Sequence, residues 1–81
     1  VTAFEAGRRA EALSLLDQAL SLDPDDAEAS LTRGVVLEAL GRVPEALASY
    51  EAAVVSAGRR KDFPPHVLAD AKESAARLKK R

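Results

Sequence analysis

Apolar residues recur along this chain at helical intervals. Ala12, Leu13, Leu16, Ala19 and Leu20 share one helical face, and Leu15 and Leu22 flank it seven residues apart. The pattern predicts a helix over about Ala10 to Leu22, with a stripe wide enough to meet more than one neighbour. A second stripe, Ala27, Leu31, Gly34, Leu37 and Leu40, predicts a helix over about Asp25 to Leu40. A third, Ala46, Leu47, Tyr50, Ala53 and Val54, predicts one over about Pro44 to Ala57. A fourth, Val67, Leu68, Ala71, Ala75 and Leu78, follows Pro65 and reaches Lys79. Ahead of them, Val1–Ala6 reads as the tail of a further helix. The expected fold is all-α, with five helical segments.

Glycine and proline mark where these segments stop and start. Gly7, Gly41 and Gly58 are each placed to end a helix by taking a left-handed cap position without steric cost. Asp23-Pro24-Asp25-Asp26 reads as a stop and restart, with Asp23 as the cap and Pro24 at the first helical position. Asp25, Asp26 and Glu28 then lie near a positive helix end, each contributing about 0.3–1 kcal/mol. Gly34 lies inside a helix at a cost of about 1 kcal/mol against alanine, so a neighbouring backbone is expected to approach it closely.

The segments repeat. Gly-Arg-x-x-Glu-Ala-Leu at Gly7–Leu13 returns at Gly41–Leu47, 34 residues later, and Ala19 and Ala53 extend the register. A fixed period of this size indicates a stacked helical array. The pattern resembles the tetratricopeptide repeat family, whose unit is a 34-residue helix–turn–helix with small residues at fixed points and a proline near the boundary. Gly34, Leu37, Gly41, Ala46, Tyr50 and Ala53 stand at the family's small, large apolar, turn, small, aromatic and small positions. Gly7, Ala12, Leu16, Ala19 and Pro24 place a partial unit before them. Ser30 stands in place of a usual aromatic, Arg33 where leucine is common, and Gly58 in the slot that Pro24 fills in the earlier unit.

The resemblance implies antiparallel helix–turn–helix repeats stacked as an α-solenoid. The partial unit would cover residues 1–26 and a complete unit 27–60. Residues 61–81 would carry a C-terminal capping helix that covers the last apolar face.

Composition narrows the function. At 81 residues there is one domain at most, and without cysteine nothing staples it covalently. The apolar content is mostly Ala, Leu and Val, with Phe4, Tyr50 and Phe63 the only aromatics, which suits helices packing at close range. A net charge of −1 argues against general nucleic-acid binding. No apolar run approaches the roughly 18 residues of a membrane span, and no signal-peptide pattern is present, so the expected compartment is cytoplasmic. The chain opens at Val1 directly into periodic sequence and is read as a stretch of a longer protein.

No catalytic, cofactor or metal constellation emerges, and a non-enzyme is expected. His66 has no second His or Cys, with Asp62 and Asp70 nearby, and reads as a first-turn residue. The Asp23–Glu28 cluster lacks the length, internal glycine and closing glutamate of a calcium loop, and reads as capping. The basic group Arg77–Arg81 lacks interleaved aromatics for base stacking and reads as a solvated helix end.

The resemblance also implies a concave groove lined by the first helices of successive units, holding a peptide or partner protein. Carried over by position, it includes Glu28, Leu31, Val35, Glu38 and Ala39, with Asp26 at the rim, Phe4 and Glu5 extending it, and Lys72 and Glu73 as the far wall. The same positions equally suit a plain surface, with the groove built by other units. Leu31 and Val35 cannot donate hydrogen bonds, which argues against capture of a C-terminal carboxylate. A mixed apolar and acidic groove suits a partner with apolar anchors and some Lys or Arg. The expected role is therefore a scaffold or adaptor for protein–protein interaction. The alternatives are an accessory domain of a larger enzyme, or self-association through apolar surface around Val1, Ala3 and Leu16.

Overall fold

The computed structural model describes residues 3–60 and 63–80, and for residues 3–6 the backbone alone. Four helices follow one another: α1 (Ala3–Leu22), α2 (Ala27–Ala39), α3 (Val43–Arg59) and α4 (Pro65–Lys79). Short turns make successive helices antiparallel neighbours. Helix α1 packs on α2, α2 on α3 and α3 on α4, and α2 also touches α4. The result is an all-α stack.

The expected break at Gly7 does not occur, and α1 runs through it without interruption. A Cβ at Gly7 would meet nothing within 4 Å, so no described element draws the chain into a turn there. Without a neighbour to fold back on, the continuous hydrogen-bond ladder outweighs the roughly 1 kcal/mol that glycine costs inside a helix. The five expected segments are thus four helices among the described residues.

The same motif behaves differently at Gly41. There φ is +81°, Gly41 N–H donates to Glu38 C=O at 3.0 Å, and Arg42 N–H donates to Leu37 C=O at 2.9 Å. This reciprocal pair closes the end of α2 in the Schellman arrangement. Val43, just beyond, packs against the core and holds the reversal in place. Helix α3 then continues through Gly58 to Arg59, slightly past its expected end.

The α1–α2 turn corrects the expected cap. Asp26, not Asp23, is the N-cap of α2: its backbone is extended and its Oδ1 accepts from the Ala29 N–H at 3.1 Å. Asp23 shapes the turn itself, its Oδ1 accepting from Asp25 N–H at 3.2 Å and its C=O from Asp26 N–H at 3.1 Å. Pro24 therefore occupies the turn and α2 begins at Ala27, because only Asp26 lies three residues before a free helical N–H.

All four helices contribute to one apolar core. Leu13, Leu37, Ala46, Tyr50, Ala75 and Leu78 form it, and Tyr50, Leu37 and Val67 are the largest fully buried side chains. The feature that approaches Gly34 is a side chain, not the backbone expected: a Cβ there would lie 2.6 Å from Cδ1 and Cε1 of Tyr50. The ring lies flush against α2 where alanine would not fit. Ser30, Ser49 and Ser56 are buried among these residues, and no buried side-chain polar atom among the described residues lacks a partner.

Among the described side chains of α1 only Leu13 is buried, while Leu15 is 60% and Leu22 90% exposed. Among the described elements α1 packs against α2 alone, so its flanking leucines find no second neighbour there. Leu16 is partly buried; Val1, and the side chain of Ala3, lie outside the described residues.

Candidate functional site

Glu28, Leu31, Val35 and Glu38 fall on one face of α2, three or four residues apart. This face turns toward α4. Between the two helices lies a cleft of about 290 Å³, lined by Leu31 and Val35 from α2 and by Asp70, Glu73 and Ser74 from α4. Val35 is 53% exposed, while Leu31 is partly buried and braced against the core. Leu31, Val35 and Glu73 are therefore brought together, with Glu28 one turn away and exposed.

The other expected groove residues are placed differently. Lys72 lies on the far side of α4, in a separate cleft with Glu51, Val54, Val55, Ala76 and Lys79. Successive helical residues are about 100° apart, so Lys72 and Glu73 serve different clefts. Ala39 is exposed at the end of α2. The Asp26 carboxylate is occupied by its cap. The side chains of Phe4 and Glu5 lie outside the described residues, as does Asp62 beside His66. His66 is exposed in the first turn of α4, and no group of three or more His, Cys, Asp or Glu gathers as a metal site among the described residues.

Glu38 is engaged within the chain. Its Oε1 accepts from the Tyr50 hydroxyl at 2.8 Å, and both its oxygens accept from Arg77, at 2.5 and 3.0 Å. One carboxylate thus joins α2, α3 and α4, and the fork-on-fork geometry fixes the register of α4. Arg77 is in this way a docking residue of α4, not a solvated helix end.

Burial, with the hydrogen bond to Glu38, pushes the Tyr50 hydroxyl up to about 12. An unfolded tyrosine ionises near pH 10. The unfolded chain therefore releases its proton first, and stability falls as pH rises from about 10 to 12. Tyr50 is the only tyrosine and there is no tryptophan, so tyrosinate absorbance reports this one site. A pH titration is expected to show a midpoint near 12 in the folded chain, and an ordinary midpoint near 10 would count against this burial. Tyr50→Phe is expected to remove the alkaline effect and cost about 1–2 kcal/mol at neutral pH in urea melts.

Elsewhere the charges tie one element to another. Arg33 Nε donates to Asp17 Oδ1 at 2.8 Å and its Nη1 to Ser49 Oγ at 2.7 Å, linking α1, α2 and α3. An arginine at this leucine-like position bridges its neighbours where leucine would only pack. Arg60 pairs with Asp23 at 2.6 Å and lies over the Phe63 ring at 4.9 Å, and Arg59 pairs with Asp25 at 3.4 Å. The end of α3 is thereby fastened to the α1–α2 turn. Opposite charge clusters about one repeat period apart were the available sequence signal for these ties.

A family model described as Tetratricopeptide repeat matches residues 2–62 of the chain. No curated protein and no solved structure matches it. No helix among the described residues is long and apolar enough to cross a membrane.

Proposed function

The chain belongs to the tetratricopeptide repeat family, and from that premise we propose that it acts as a protein–protein interaction module whose α2–α4 cleft receives a segment of a partner protein. Repeats of this family generally bind proteins or peptides and are typically non-catalytic. Within this reading the chain divides into a partial unit, 1–26, a complete unit, 27–60, and a capping stretch, 61–81. The pairing of Arg59 with Asp25, 34 positions apart, supports that division by tying equivalent points of successive units.

The observation that carries the proposal is the cleft itself. Val35 remains 53% exposed beside Leu31 in a concave site, on helices fixed by the Tyr50–Glu38–Arg77 contacts. A surface held this way loses little freedom when a partner binds, so more of the contact energy appears as affinity.

The test is capture of partners by the protein, compared between the native chain, Val35→Asp and Leu22→Asp. Leu22 is 90% exposed on α1, a helix that neither lines the cleft nor contacts α4. Both variants are expected to keep the native melting temperature, since neither position is packed. A partner lost with Val35→Asp and retained with Leu22→Asp supports the reading. Equal retention by both excludes the cleft as the binding surface.

A further inference from the structure

Resting on the cleft as the binding surface, we propose that its ligand is a cationic segment of another protein: an aliphatic side chain flanked by lysines or arginines. The charge inventory carries this inference. Asp17, Asp23, Asp25, Glu38, Glu45 and Glu51 are each paired with an arginine or lysine of the chain. The carboxylates of Glu28, Asp70 and Glu73 make no hydrogen bond or ion pair with any described residue.

These three lie around or beside the apolar floor of Leu31 and Val35, with Asp70 and Glu73 lining the cleft directly. Among the described residues, the nearby cations on α4 are committed or face away. Arg77, one turn beyond Glu73, is held by Glu38, and Lys72 lines the opposite cleft. The cleft is therefore an apolar seat with an uncompensated negative rim. An acidic segment would meet like charge there. A cationic one supplies the missing partners, and its aliphatic side chain covers the exposed face of Val35. Rim charges of this kind act chiefly on selectivity, association rate and salt dependence.

Amide-shift mapping by NMR with short synthetic peptides tests this. Each peptide has a central leucine flanked by lysines, by serines or by glutamates. The lysine peptide is expected to shift the amides of Leu31, Val35, Asp70, Glu73 and Ser74. It is also expected to bind at least about tenfold more tightly than the serine peptide at low salt, with the advantage largely lost by about 0.5 M salt. Asp70→Asn combined with Glu73→Gln is expected to abolish the advantage without moving the melting temperature. Equal binding of the serine or glutamate peptide at these amides overturns the cationic preference and leaves the cleft reading intact. If none of the three peptides shifts these amides, or the shifts are confined to another face, both are overturned.

Discussion

Replacing Tyr50 with alanine is expected to remove about 3–5 kcal/mol of folding stability. Tyr50 is the largest fully buried side chain, at 1% exposure, and it stands where α2, α3 and α4 meet. Truncation leaves a cavity that Leu37, Ala46 and Ala75 fill only in part, and it also removes the hydroxyl that donates to Glu38. A domain of this length is expected to be stable by only about 4–12 kcal/mol in all. The variant should accordingly lose its helical circular dichroism well below the native melting temperature, with a clearly lowered urea midpoint. A loss below about 1.5 kcal/mol would mean that the ring does not organise the core.

Gly34→Ala should also destabilise, although alanine is the better helix former by about 1 kcal/mol. The added methyl would lie 2.6 Å from two atoms of the Tyr50 ring, and the ring, closed in on its other sides, has nowhere to go. Overpacking of this kind costs about 1–3 kcal/mol. The steric cost outweighs the propensity gain because the obstacle is a buried ring and not the free end of a long side chain. Less the propensity gain, a net loss of up to about 2 kcal/mol is expected, equivalent to a fall in melting temperature of up to about 16 °C for a chain of this size. In a Tyr50→Ala background the obstacle is gone, and Gly34→Ala should become neutral or mildly stabilising. Additivity in that double-mutant cycle would show that the two residues are not in contact.

Much of the fold was legible because its causes are local or periodic. The inward positions of Ala46, Tyr50 and Ala53 follow from helical spacing, and all three are buried. The reversal at Gly41 follows from its glycine and the apolar residues on either side. Gly7 carries the same motif yet stays helical, because a reversal also needs a surface to return to, which a seven-residue motif does not encode. The capping residue was misjudged because several aspartates compete within one turn, and only the reach to the Ala29 N–H separates them.

In the cleft, Leu31, Val35 and Glu73 are positions that the family resemblance implies, carried over from the repeat register. The resemblance does not point to Asp70; its position three residues before Glu73 on the same helix is the signal that does. The commitment of Glu38 was not legible, since its partner Arg77 is 39 positions away and nothing periodic relates them. Lys72 and Glu73 separated because adjacent residues on a helix face different directions, and only the packing of α4 decides which cleft each one meets.

The clasp between the end of α3 and the α1–α2 turn makes chain length between them part of the design. Arg59 reaches Asp25 and Arg60 reaches Asp23 only while the intervening residues keep their number. Deleting a single residue within α2 or α3 would turn everything beyond it by about 100°, carrying both arginines off their carboxylates and, where it falls between them, Tyr50 off Gly34. The turn at Gly41 offers no slack, since the Arg42 N–H is already bonded to Leu37. Insertions and deletions should therefore be tolerated poorly between Asp25 and Arg59, even at solvent-exposed positions that accept almost any substitution.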